Sequence, residues 1–316
     1  MPDYAYSARK PNGQVLVGYS ATRSGKDALK LAVAIAASRK MSLELVMVEP
    51  VDSVYSGVYP HDRGYDNIVE KRIADWLQQA LESIPEGIEA RARIVKGDSE
   101  PAALLQAADE LDCDLIVVGA RRGGLFGRFR IGSVANSLLH SADRPVALAP
   151  KGYRFTGPIS RITCLFGPRK GNDDVLAFGI QRAEKRKIPL RVISMGFEGA
   201  AKESGRSAAN GSESARGLGV IREYADGAIA EEMHALVDSE AATVEFSSAR
   251  SVEKAMEQLT WDSGELVVVG SSRLAAPGRI FMSAVTSRIL RSIPVPMLVI
   301  PSGYMQVSKG EAGHDE

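Results

Sequence analysis

The chain has 316 residues, 45% of them hydrophobic, and carries 39 Lys and Arg against 39 Asp and Glu. That length suits two domains of ordinary size, each with its own core. The balanced charge excludes a protein whose affinity rests on broad phosphate neutralisation, so nucleic acid is not an expected partner and only a local basic loop remains for anions.

In chain order, Met1 to Asn12 is polar and reads as an arm without the basic-then-apolar pattern of a signal peptide. No apolar run reaches the length of a membrane span, so a cytoplasmic protein with no membrane partner is expected. Gln14 to Gly18 reads as the first strand. Tyr19 to Lys26 is its loop, and Ser24 with Asp27 three residues on has the spacing of a capping box for a helix reaching Arg39. Leu43 to Val48 is the second strand. Glu49 to Asn67, with Tyr55, Tyr59 and Tyr65, is expected to be irregular and stands where that strand emerges. A helix from about Ile68 to Ile84 precedes the third strand, Ala90 to Val95. Ser99 and Pro101 open a helix through Glu110. Leu115 to Val118 is the fourth strand. The loop after it, rich in Gly and Arg, ends at Gly132-Ser133, where a new helix offers free amides and a positive dipole end. Val146 to Ala149 is the fifth strand.

The plan then recurs. A shift of 151 residues sets Glu265 to Pro301 under Asp114 to Pro150 without a gap. Leu115/Leu266, Val117/Val268, Gly119/Gly270, Arg122/Arg273, Gly127/Gly278, Leu139/Leu290 and Pro145/Pro296 are among the identical pairs, where composition alone gives about two or three matches over such a length. A shift of 147 superposes Asp27/Asp174, Leu29/Leu176, Arg39/Arg186, Lys40/Lys187 and Leu43/Leu190. The second set of strands reads Ile162 to Phe166, Leu190 to Ser194, Thr243 to Phe246, Leu266 to Val269 and Met297 to Ile300. Gly196 to Gly219 is expected to be a flexible loop, and Ser302 to Glu316 a charged, frayed tail.

Five strands alternating with four helices per half imply right-handed crossovers and a parallel sheet covered on both faces: an α/β fold of two tandem Rossmann-like domains, 1–152 and 153–316. Ligands of such sheets sit at the carboxyl ends of the strands where the order reverses, an edge that collects Gly18 to Lys26, Val48 onward and Gly119 to Ser133.

Other chemistry is sparse. Cys113 and Cys164 read as buried free thiols in a reducing compartment. His61, His140, His234 and His314 have no ligand-like spacing, so no metal is expected. Ser133 has no visible His and acid partners, so no catalytic residue is assigned. Ser24-Gly25-Lys26-Asp27 is no P-loop, because Asp27 stands where Ser or Thr would hold the metal and Ser20 where the first glycine is required. Arg121, Arg122, Arg128 and Arg130 make a basic loop, either a solvated face or a phosphate contact.

The strand-one loop, the Gly97-Asp98 turn, Asp114-Leu115-Ile116-Val117-Val118-Gly119, Gly132-Ser133-Val134 and Arg144-Pro145-Val146 together resemble the universal stress protein family, over nearly all of both halves. The resemblance implies an adenine nucleotide alpha hydrolase-like fold. ATP-binding members carry G-x2-G-x9-G-[S/T] after the fourth strand. Gly119, Gly132 and Ser133 fit it, while Arg122 stands at the middle glycine with Gly123 one place late. Those members also carry a nucleoside-contacting Asp where this chain has Ser20. By resemblance the cofactor site comprises Gly18, Ser20, Val48, Gly119, Arg122, Gly123, Gly132, Ser133 and Val134, with ATP or a related adenine nucleotide as its ligand in the first half only. In the second half Gly167, Ser283 and Ala284 replace the expected residues. The resemblance further implies that the fifth strands pair antiparallel, making an internal pseudo-dimer that can still homodimerise. Three readings follow, in order: a nucleotide-responsive stress or regulatory protein, a ligand-free scaffold or partner-binding module, and an adenylating or hydrolytic enzyme.

Overall fold

Short runs such as Val15-Leu16-Val17 and Ile116-Val117-Val118 have no polar face, so they are stable as strands only when covered on both sides. The computed structural model describes residues 13–50, 63–120, 131–167, 173–197, 212–271, 275–276 and 278–305. In chain order the first half is β1 (Gln14–Gly18), α1 (Arg23–Arg39), β2 (Ser42–Pro50), α2 (Arg63–Glu82), β3 (Ala90–Gly97), α3 (Glu100–Glu110), β4 (Leu115–Gly119), α4 (Ser133–Ser141) and β5 (Val146–Ala149). The second half is β6 (Arg161–Phe166), α5 (Asp173–Arg186), β7 (Leu190–Phe197), α6 (Glu213–Tyr224), α7 (Gly227–Asp238), β8 (Ala242–Ala249), α8 (Val252–Glu257), β9 (Glu265–Gly270), α9 (Ala284–Ser292) and β10 (Met297–Ile300).

All ten strands form one sheet in the order β3-β2-β1-β4-β5-β10-β9-β6-β7-β8. The repeat is kept in the register: Val15 lies beside Leu43 and Leu115, and their counterparts Ile162, Leu190 and Leu266 pair in the same way. Within each half the strands are parallel. β10 runs antiparallel to β5, with Leu298 opposite Ala147. Alternate side chains feed two apolar layers that cross both halves. Val15 and Val17 belong to the layer covered by α1, α2, α5, α6 and α7, and Leu16 to the layer covered by α3, α4, α8 and α9.

Several local expectations change. α1 is capped by Thr22, whose hydroxyl accepts the Gly25 amide, so Ser24 and Asp27 do not form a capping box. Asp27 lies on the buried side of the helix, where burial raises its pKa, and accepts the Gly152 amide at 2.7 Å. Its repeat partner Asp174 does the same for Gly303, at 2.7 Å, and for Met305. Residues 302–305 are therefore tied down rather than frayed, with Met305 buried. Both turns place glycine at φ 73°, a conformation that suits a residue without Cβ.

Helix α2 begins at Arg63, five residues before the periodicity suggests, while residues 51–62 of the tyrosine segment lie outside the described residues. The second half has two helices, α6 and α7, where one was expected between its second and third strands. Residues 213–219, expected as flexible loop, form the start of α6 under a Ser212 cap, and 198–211 lie outside the described residues. Asp226 breaks the helical run by capping α7 through the Ala228 amide.

Candidate functional site

The chain order reverses between β1 and β4, the position at which open α/β sheets leave a crevice at the strands' carboxyl ends. Gly18 ends β1 against Val118 and Leu104; a Cβ there would lie 2.9 Å from Val118 Cγ1. The Tyr19 amide then donates to the Val46 carbonyl at 2.9 Å, extending the β1/β2 ladder by one bond before the loop. The Ser20 hydroxyl lies 2.8 Å from that of Thr22, which caps α1. Gly25 packs its bare face against the Ser20 backbone, where a Cβ would fall well inside van der Waals contact. Gly119, at the tip of β4, meets the Ser24 carbonyl with equally little room. The close approach that Gly119 allows is thus to the first turn of α1. Any methyl at either glycine would force these turns apart.

α4 supplies the anion-seeking part. Its N-cap, Gly132, is extended (φ −70°, ψ 165°) and has no side chain with which to cap the first-turn amides. The helix also has no acid in its first turn, and Ser133 is exposed. Backbone N–H groups and the positive dipole end are therefore left to solvent or to an anion. Val134 and Ile131 pack on the apolar layer that also holds Val48 and Leu104. Gly18 and Gly119 end the adjacent strands β1 and β4, and Ser20 and Thr22 stand in the loop that follows β1. Arg122 and Gly123 lie outside the described residues, as do Gly124, Gly127 and the arginines at 121, 128 and 130.

The same place in the second half is closed. Ser283 caps α9, its hydroxyl accepting the Thr286 amide at 3.0 Å. Ser271 Oγ accepts the Phe281 amide at 2.7 Å. The loop then crosses to the first half: the Ile280 amide donates to the Ala142 carbonyl at 2.8 Å and Met282 to Leu139 at 3.0 Å. His140 meets Phe281 edge-on, with ring centroids 5.1 Å apart. These four amides are thus spent, two on serine hydroxyls of the same half and two on the seam between the halves.

Sequence reasoning missed Thr22 and Gly25. The signal was present in Thr22 with Gly25 three residues on, but Ser24 offered the same hydroxyl chemistry nearby. Cys113 and Cys164 are buried free thiols, each pushed up to about 12 by burial, which makes them poor nucleophiles. Among the described residues no helix is long and apolar enough to cross a membrane.

Two Rossmann-like units in tandem, wound about reversal points at β1/β4 and β6/β9, define the class: an α/β protein with a nucleotide-binding type of sheet. Residues 11–150 match the family model described as Universal stress protein family. Over 294 residues the chain is 28% identical to a universal stress protein of Mycobacterium tuberculosis, covering 91% of this chain and 99% of that relative. A universal stress protein of Mycolicibacterium smegmatis is 28% identical over 140 residues, 44% of this chain and 99% of its own. The solved structure of a universal stress protein from Archaeoglobus fulgidus, 15% identical, shares the fold with a TM-score of 0.61 over 92% of this chain and 98% of its own. The first half therefore carries a universal stress protein domain, and the chain as a whole is similar to universal stress proteins over 91% of its length.

Proposed function

We propose that this chain is a universal stress protein, a stress-response regulator whose first half, residues 1–152, takes an adenine nucleotide, ATP first, and whose second half, 153–316, serves as its structural partner. One observation carries the reading: α4 starts on Gly132 with its first-turn amides uncapped, while its counterpart α9 is closed by Ser283. In this reading the phosphates lie on the amides of Ser133 and Val134, with Gly132 keeping the backbone accessible and Gly119 letting the first turn of α1 close onto β4. The base lies toward Gly18, Ser20 and Val48; Arg122 and Gly123, which the resemblance adds to the site, lie outside the described residues. The antiparallel β5/β10 pairing supports an internal pseudo-dimer, which leaves other surfaces for a homodimer. The free Cys113 and Cys164 support a reducing compartment, and the proposal places the protein in the cytoplasm.

A second reading, a ligand-free scaffold, draws on Ser20. Its hydroxyl is already engaged by Thr22, and the bare faces of Gly25 and Gly119 are filled by the chain itself. Calorimetry with ATP separates the two. Saturable binding is expected in the wild type, weakened severalfold by Gly132→Ser, which installs the cap that α9 carries and makes a hydroxyl compete for the first-turn amides. A wild-type protein that gives no heat with any adenine nucleotide, and carries none in native mass spectrometry, leaves the scaffold reading standing.

A further inference from the structure

On the face of the sheet opposite α4, α1 and α5 flank a groove at the seam between the halves. Arg39 is the last residue of α1 and Arg186 the last of α5, related by the 147-residue repeat, and Arg182 lies one helical turn before Arg186. These three arginines line a cavity of about 20 Å³ together with Asp114, Phe178 and Tyr304. Arg182 Nε and Arg186 Nε and Nη1 are buried and have no hydrogen-bond acceptor among the described residues. Burial, then the charge of Arg182, pushes Arg39 down to about 10, against the pull of Asp114 and Tyr304. Burial, then Arg39 and Arg182, pushes Arg186 to about 9, with no acid opposing. The one carboxylate on the cavity wall, Asp114, is already accepting the Gln14 amide at 2.8 Å.

Three neighbouring guanidinium groups, two of them with buried, unanswered N–H donors, are a costly arrangement for a stable seam, because each orphaned charged donor forfeits its solvation and the like charges repel. Planar guanidinium forks are matched in geometry by a tetrahedral oxyanion, which accepts two bonds from each. We propose that this seam is a binding site for one small oxyanion of the phosphate class, held by Arg39, Arg182 and Arg186. The free volume of about 20 Å³ is that of roughly one water, so a phosphate-sized ion enters only as the long, half-buried arginine side chains swing outward around it, and a nucleoside is excluded. The ion bridges α1 of one half and α5 of the other, making the joint between the halves anion-dependent. The inference stands apart from the nucleotide reading, since it uses other helices and the other face of the sheet.

The test uses inorganic phosphate and the full chain at constant ionic strength. Millimolar phosphate is expected to raise the wild-type melting temperature saturably by a few degrees, and equilibrium dialysis to find one phosphate per chain. Both responses should vanish in an R182Q/R186Q variant. Without phosphate that variant should melt no lower than the wild type, because like-charge repulsion is relieved. Gly132→Ser should keep the full response. An equal rise in the wild type and R182Q/R186Q, absence of stoichiometric binding, or a response lost in Gly132→Ser but kept in R182Q/R186Q would each overturn the proposal.

Discussion

The two halves share a register but not a polar solution. In the first, Glu44 on β2 is buried and accepts from Arg93 on β3, at 3.2 Å. At the equivalent positions of the second, the signs are exchanged: Arg191 on β7 is buried and gives Glu245 on β8 two bonds, at 2.8 and 2.6 Å. At the start of the fourth strand, Asp114 accepts one backbone amide from Gln14. Its counterpart Glu265 is fully buried and receives Arg161, Arg191, Thr163 and the Asp262 amide. At the far end, α4 is open where α9 is capped. The comparison teaches that after duplication the apolar register was held by burial, while charges stayed free to be exchanged wherever a neighbour could compensate.

The largest effect should come from breaking the Glu265 network. Glu265→Ala leaves Arg191 buried without one of its acids and should cost about 3–5 kcal/mol. Asp114→Ala, losing one bond at an exposed side chain, should cost about 1 kcal/mol. Denaturant unfolding of both variants reads the contrast, and equal losses would mean that the two positions are not differently built.

Next comes a packing exchange. Gly179 in α5 lies against Cys164 on β6, and an added Cβ would overlap its sulfur; the corresponding first-half pair is Ala32 with Val17. Gly179→Ala should therefore cost about 1–3 kcal/mol, most of it recovered in a Cys164→Ala background. A double-mutant cycle with additive effects would refute the exchange.

A smaller effect is pH-dependent. Burial raises the pKa of Asp27 in the folded state, so its titration contributes stability that is fully present below the unfolded pKa and lost as pH rises through the folded one. The stability of the wild type relative to Asp27→Asn should thus be greatest in acid and decline with rising pH. Glu253, held down to about 2 chiefly by the Arg288 guanidinium, has the opposite sign: its contribution is present above the unfolded pKa and lost as pH falls toward 2. A pH series of melting temperatures for Asp27→Asn and Glu253→Gln should diverge accordingly.

The smallest expected change is also the most symmetric. Lys40 and Lys187 both follow a helix at φ 54°, where a side chain is strained and glycine is not. Lys40→Gly and Lys187→Gly should each stabilise by under about 1 kcal/mol, and by similar amounts if the repeat is preserved at its helix ends.

Much of this was legible in residues. The all-apolar strand runs, the two shifts of 147 and 151, and Gly132 at a helix start each follow from local chemistry, and the strand centres fall where the runs predict. Helix starts were less legible, because Thr22 and Ser24 carry the same capping chemistry and only the fold shows which hydroxyl faces the Gly25 amide. Asp27 looked like a local cap residue, yet its acceptor capacity goes to Gly152, 125 residues away. The break at Asp226 was hidden in a polar stretch whose helical pattern continues on both sides.

The sequence alone determined a duplicated α/β chain, since burial on two faces leaves a short all-apolar run few other fates and a repeated pattern must fold repeatedly. Tertiary structure alone decided how the two copies differ in use. Whether the bare face of Gly119 meets a ligand or the first turn of α1, and whether Arg39 converges with Arg182 and Arg186 on one groove, depend on packing between elements far apart in the chain, which no local pattern encodes.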